Sequence, residues 1–294
     1  MKLINFYNQV VKFGRLNDPR KDKSKIKSFS DSAILFGNPD LEVSKIMVGI
    51  DIEVPEILLA DRIRQTEGLD LVVAHHPEGK AYAGLAAVMG LQVDLLTQAG
   101  VLQKTAAKLL AERMSQVERG VLPQNHTRPV DAARLLNMPF MNMHTPADNH
   151  VYRYLEAVFK KKINANCLLK DVVKILNTIP EYQIAEKFNT GPRIILGSPN
   201  RPAGKILFEM TGGTEGSADV FEKLYKAGVR TLISMHLSEG HFKKAKEANL
   251  NVVIAGHISS DTLGLNLLLD NIEKSAKQDF EIIACSGFTR IKRK

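Results

Sequence analysis

Three short apolar runs, LVVA ending at Ala74, FMNM ending at Met143 and VVIAG ending at Gly256, each stop on a histidine, and this constrains the fold more than any other feature. A run of four or five aliphatic residues bounded by polar turn residues reads as a strand buried on both faces. Between such runs the apolar positions recur at helical spacing, as at Leu3, Phe6 and Val10, or in EILLADRIRQTEG after Pro55. Strands alternating with helices predict an α/β fold with mostly parallel or mixed sheets. Folds of this class gather chemistry at strand ends, where His75 and His76, His144 with Asp148, and His257 with Asp261 fall.

The chain divides into two α/β lobes, 1–165 and 166–294, packed as one compact unit. In the first, SKIMVGID predicts a strand ending at Asp51 and LDLVVA the strand before the histidine pair. Two glycine-closed helical stretches follow at about 81–120, an insertion, and a helix at 130–138 leads to the strand PFMNM. A more polar middle, 150–190, containing the helix LKDVVKILN, reads as the join between lobes. The second lobe runs RIILGS, KILFEMTGG, helix 217–227, RTLISM, helix 241–249, NVVIAGH, helix 261–275 and a final strand FEIIACSG. Aligning Gly68 with Gly228 places His76 over His236, and the three-residue gap of His144 and Asp148 repeats at His257 and Asp261. A duplicated lobe facing its copy would bring both sets of strand ends to one cleft.

Bulk properties narrow the function classes. At 294 residues, 44% hydrophobic and 24% charged, the chain has material for a large core. The N-terminus lacks the continuous apolar region of a signal peptide and no run approaches membrane-spanning length, so a cytoplasmic protein is expected. Cys167 and Cys285 lack CxxC spacing, which argues against a thiolate metal site or a disulfide framework. The net charge of +8 sits in local runs such as Lys21 to Lys27, and with 6% aromatics and no tryptophan there is no basic and aromatic stripe for nucleic acid. Ser286 lacks the GxSxG elbow of a serine hydrolase.

Imidazoles and carboxylates converging from strand ends are the donors that zinc, iron or manganese prefer. Adjacent residues on a strand point to opposite faces, so His75 and His76 serve one site only where the chain leaves the sheet, and Pro77 marks that exit. Such a pair suits two ions side by side, with Asp148 and Asp261 adding carboxylate oxygens and His257 a further nitrogen. Two ions roughly 3.5–4 Å apart are the usual hydrolytic arrangement. Glu78, Glu239 and His236 are candidate general acids or bases near the cleft. The turn MTGGTEGS before a helix reads as a structural turn or a phosphate cradle; it lacks the P-loop ending.

HHP after DLVVA, HTPAD after a strand and GHISSD after NVVIA, in that order, resemble the signature of the Nif-three-like family (NGG-one-interacting factor three), whose bacterial members are often labelled type 2 GTP cyclohydrolase homologues. KIMVGID and FEMTGGTEGSADV resemble its flanking segments. The resemblance implies two facing α/β lobes, a dinuclear metal centre in the cleft between them and a homohexamer. It places His75, His76, Asp148, His257 and Asp261 at ligand positions and His144 beside the aspartate, outside the ligand shell. Asp261 stands where the family usually has glutamate, a shorter carboxylate expected to bridge poorly or reach one ion. Glu78-Gly79-Lys80 replaces apolar residues after HHP, and the insertion is longer than in compact members, as a cap or a subunit contact. The expected function is metal-dependent hydrolysis of a small anionic substrate, nucleotide-like or a cyclic amide, with two divalent ions (zinc, iron or manganese). The rival is a metal-binding adaptor or metal-handling protein without turnover. An open site favours the enzyme and a closed one the adaptor.

Overall fold

A computed structural model describes residues 1–293. The first half runs α1 (Leu3–Asn17), β1 (Ser32–Phe36), β2 (Lys45–Gly49), α2 (Val54–Glu67), β3 (Leu71–Ala74), then α3 (Gly79–Ala83), α4 (Leu85–Val88), α5 (Leu91–Ala99) and α6 (Gln103–Val121), followed by α7 (Arg128–Leu135), β4 (Phe140–Met143) and α8 (Thr145–Lys162). The second runs α9 (Leu169–Leu176), α10 (Pro180–Lys187), β5 (Arg193–Leu196), β6 (Lys205–Glu209), α11 (Phe221–Lys226), β7 (Val229–Ser234), α12 (Glu239–Glu247), β8 (Asn251–Ile254), α13 (His257–Ala276) and β9 (Glu281–Cys285). Local chemistry sets many of these bounds. Helix α2, for example, opens with the Glu53 amide donating to Glu56 Oε2 (2.9 Å) and Pro55 in its first turn, and stops at Gly68, whose φ of 76° ends the helix.

Two mixed, mostly parallel sheets result, ordered β1-β4-β3-β2-β9 and β5-β8-β7-β6. In each, the first strand is antiparallel to its neighbour and the others are parallel. Four strands of one sheet thus match the four of the other in order and direction, as the internal repeat in the sequence predicts. The final strand does not follow the repeat. Expected in the second lobe, β9 pairs with β2 in the first sheet, Lys45 opposite Glu281. It covers an edge that its counterpart β6 leaves free.

Strands β2, β3, β4, β7 and β8 are buried on both faces, so alternate residues feed different cores. Leu71 and Val73 pack with α1 and α13, whereas Val72 and Ala74 pack with α2 and α7. In the second sheet Ile233 and Val253 meet α8 and α9, and Leu232 and Val252 meet α11 and α12. Helices α8 and α13 therefore form the middle of the molecule, each packed on the sheet of the other half. The join expected over 150–190 is corrected here: α8 is central, with Val151, Leu155 and Phe159 buried. Its Arg153, Lys160, Lys161 and Lys162 made it read as a linker, but their long stems leave the apolar stripe intact.

The insertion breaks into four helices and supplies a layer to the other half. Leu96, Ala99, Val101 and Ala106 are buried with Leu207, Val220, Phe221 and Leu232 of the second sheet and its helices. Gln92 Nε2 donates to the carbonyls of Gly212 (2.9 Å) and Thr214 (2.8 Å), and Lys205 Nζ to that of Ala99 (2.6 Å). No helix among the described residues is long and apolar enough to cross a membrane.

Candidate metal centre

Helices α8 and α13 each begin at a strand end; His144 caps α8 four residues before Asp148, and α13 carries His257 and Asp261 four residues apart, which places each pair on one side of its helix. Pro146 lies in the first turn of α8, and Gly256 enters α13 at a φ of 107°. Between them, β3 continues its ladder past its end, with His75 N donating to Gly49 O (2.8 Å) and His76 N to Ile50 O (3.0 Å). Both histidines are thereby held at the sheet rim, and Pro77 ends the ladder.

All five expected ligands meet. His75 Nε2 lies 3.4 Å from Asp148 Oδ1 and 3.4 Å from Asp261 Oδ1. On the other side of Asp261, Oδ2 lies 3.4 Å from His76 Nε2 and 3.5 Å from His257 Nε2. Asp261 thus offers one oxygen to His75 and Asp148 and the other to His76 and His257, two sets whose donor atoms lie within 4.8 Å of one another. His144 joins a third set with His75 and His76. Despite its shorter side chain, Asp261 faces both main sets. The rings of His75 and His144 are 4.9 Å apart, those of His76 and His257 5.1 Å, and those of His257 and His236 4.9 Å.

The donors fit a divalent cation on their own chemistry. Both ring nitrogens of His75, Asp148 Oδ1 and both Asp261 oxygens are buried without a hydrogen bond. Orphaned polar atoms in a core cost free energy unless something answers them, and here His75 Nε2 and the three carboxylate oxygens gather in one cluster. Neutral imidazole and carboxylate are the ligands of zinc, iron or manganese. Burial works against charging His75, yet Asp261 and Asp148 push it up to about 10; burial likewise opposes His76, which Asp261 and Asp51 push up to about 9. The Asp261 carboxyl, in spite of burial, is driven far below its usual range by His75, His76 and His257. The site demands positive charge, and an ion bound there displaces protons from the imidazoles.

A ring of outer partners fixes these side chains. His76 Nδ1 donates to Asp51 Oδ1 (2.6 Å), leaving Nε2 toward the cluster. His144 Nδ1 donates to the buried Asp31 Oδ2 (2.8 Å), which also accepts from Thr145 Oγ1 (2.6 Å). His144 Nε2 stands 3.8 Å from Asp148 Oδ2.

Two hollows meet at the cluster. An open cleft of about 410 Å³ is lined by His76, Glu78, His126, Arg128, His236 and His257, among others. Partial burial and the charge of Glu53 raise the Glu78 carboxyl to about 7. A tighter cavity of about 80 Å³ runs behind His144, Asp148 and Asp261 toward Glu209 and Glu215. His236 lines both. It is raised by Glu215, whose Oε1 is 3.5 Å from its Nδ1, and against burial Glu215 is drawn down to about 2 by His236 and the Ser238 amide.

Glu239 is corrected. It lies in the first turn of α12, its side chain 73% exposed and 3.5 Å from Lys243 Nζ. Three residues past His236, it begins a helix whose first turn faces solvent. Glu215, from the glycine-rich turn, stands beside His236 instead. That turn is structural: Gly212 and Gly213 have φ of 109° and 83° and press on Gln92 and Val88, and the carbonyls of Gly212 and Thr214 accept from Gln92. Asp31, Glu209, Glu215 and His241 escaped the sequence reading. Asp31 just precedes the run SAILF and Glu209 ends KILFE, so strand boundaries alone would have flagged them.

The family model described as Duf34/NIF3 (NGG1p interacting factor 3) matches residues 97–289. A NIF3 superfamily protein from Sphaerobacter thermophilus is 27% identical and superposes with a TM-score of 0.82, covering 96% of this chain and 97% of its own. Reduced HcgD from Methanocaldococcus jannaschii (17% identity, TM-score 0.54, 97% of each chain) and TTHA1606 from Thermus thermophilus (14%, 0.51, 97% of each chain) share the fold. No curated protein matches the chain.

Proposed function

This chain belongs to the Duf34/NIF3 family, and from that premise we propose that it is a hydrolase with a dinuclear metal centre acting on a small anionic substrate, nucleotide-like or a cyclic amide. The carrying observation is Asp261: its two oxygens face separate donor sets, His75 with Asp148 and His76 with His257. When bound, two zinc, iron or manganese ions supply Lewis acidity toward a substrate oxygen and an acidified water. Asp51 and Asp31 fix the two imidazoles they hold, so that little reorganisation accompanies binding. Glu78, half-buried on the cleft wall, holds a proton near neutrality and is placed to pass it to a leaving group. His236, paired with Glu215, is a second proton carrier on the opposite wall. The cleft opens beside His76 and His257, which supports turnover over the adaptor reading, for which a closed site is the natural form. A cytoplasmic homohexamer remains part of the proposal.

The test is elemental mass spectrometry on protein purified without chelator or metal-affinity tag, beside the His75→Ala, His257→Ala double variant. About two equivalents per chain, lost in the variant, are expected of a two-ion site. Metal retained by the variant would sink the assignment. Full metal with no hydrolysis across a panel of phosphoesters and cyclic amides would leave the adaptor.

A further inference from the structure

Glu209 is a carboxyl without a side-chain hydrogen bond or ion pair on the wall of the tighter cavity. It is the last residue of β6, in register with Ser234, and shares the strand face of Leu207. Among the described residues it makes no side-chain hydrogen bond and no ion pair, and no lysine or arginine lines the cavity. Of the imidazoles there, His236 and His241 flank Glu215, and His241 Nε2 lies 2.9 Å from Gly216 O. The same cavity is lined by Asp148 and Asp261 of the donor cluster, where Asp148 Oδ1 and both Asp261 oxygens are buried and unpartnered. A ligand entering this cavity therefore meets an uncommitted carboxyl at Glu209 and the donor cluster along one wall.

The walls narrow the choice. Leu95, Leu96, Leu207 and Val220 present apolar surface, which disfavours a strongly hydrated ammonium. A planar group with two parallel N–H donors matches a carboxyl bidentately and sheds water more readily. A volume of about 80 Å³ has room for several waters, enough for one small ring and too little for a nucleoside.

We infer that this cavity is a subsite for a small planar head group with an amidine-like edge, an aminoazine or amidine, read by Glu209 while the remainder of the molecule crosses the ion cluster into the open cleft. The inference rests on the dinuclear reading for its account of the donor cluster, and it names the substrate class of that same site.

The probe is 2-aminopyridine, against 2-methylpyridine, which has the same shape without the second N–H. Affinities are measured by calorimetry and ligand-observed NMR on the full-length wild-type protein and on Glu209→Gln, with metal content determined on the same samples. The wild type should prefer 2-aminopyridine by about tenfold or more, the value of one charged hydrogen bond, and Glu209→Gln should lose that preference with its metal unchanged. Glu209→Asp, which keeps the carboxyl, should retain the preference at lower affinity. Equal binding of the two probes by the wild type, a result that needs no variant, would overturn the subsite, as would a preference that survives in Glu209→Gln. A Glu209-dependent preference in protein that carries no metal would uphold the subsite while the dinuclear reading fails.

Discussion

Asp31 holds His144 from a position with no access to solvent, and three donors converge on one of its oxygens: His144 Nδ1, Thr145 Oγ1 and Thr145 N. Removing it strands those donors in the core. Asp31→Ala is expected to lose about 1–3 kcal/mol or more of stability in urea unfolding. Because His144 stands beside Asp148, ion affinity by competition with a chelating dye should also fall about 10–100-fold. Glu209 gives a pH signature of its own. Burial and the charge of Glu215 raise its carboxyl from 4.5 to about 7 in the folded protein. Between those values the native state binds more protons than the unfolded chain, so this stability is present below pH 4.5 and lost as pH rises through 7. The stability of Glu209→Gln relative to wild type should therefore climb from pH 4.5 to 8 by up to about 3 kcal/mol; a flat difference would refute the assignment. At this scale the sequence was legible where a donor ends an aliphatic run, as His75, His76, His144 and His257 do. Glu215 was not, because its position beside His236 depends on where a glycine turn folds back.

Elements matter chiefly through the crossing of α8 and α13. A Cβ on Gly264 would lie 2.6 Å from Ala147 O, next to Asp148, so the missing side chain lets the two helices approach and brings Asp148 and Asp261 to the same His75 nitrogen. Helix propensity alone favours Ala over Gly by about 1 kcal/mol. The clash runs the other way and is with backbone, which cannot rotate aside, so overpacking of about 1–3 kcal/mol decides the sign. Gly264→Ala should thus be less stable in denaturant titration and bind ions more weakly, although no ligand has changed. If it binds ions as wild type does, the crossing does not set the site. Helix α13 was readable except for its first turn, since His257 and Asp261 resemble a strand-end loop until Gly256 turns the chain into a helix. Helix α8 was hidden by charge. The insertion was legible as helices, but its role was not. Its apolar stripe must bury against something, and nothing in a linear pattern says that this is the sheet of the other half.

The whole molecule is two similar sheets with a pair of exchanged helices between them, and the site lies where the two halves meet. His75, His76 and Asp148 come from the first half and His257 and Asp261 from the second, so an ion bound by both sets joins the halves. The repeat behind this was visible in the Gly68 and Gly228 alignment; the return of β9 to the first sheet was not, because a strand carries no label for its neighbour. Ions that bind only the folded state stabilise it by mass action, about 2.7 kcal/mol per site at a hundredfold excess over Kd. For a chain of this size each kcal/mol moves Tm by roughly 2 °C, so stripping the ions with a chelator should lower Tm by about 5 °C for each site emptied. The loss should reverse on adding back zinc or manganese. In the His75→Ala, His257→Ala variant, which lacks one nitrogen from each half, the chelator should do nothing. A wild-type Tm indifferent to chelation, in protein shown to carry metal, would mean that the ions do not join the halves and that packing of α8 against α13 holds them alone.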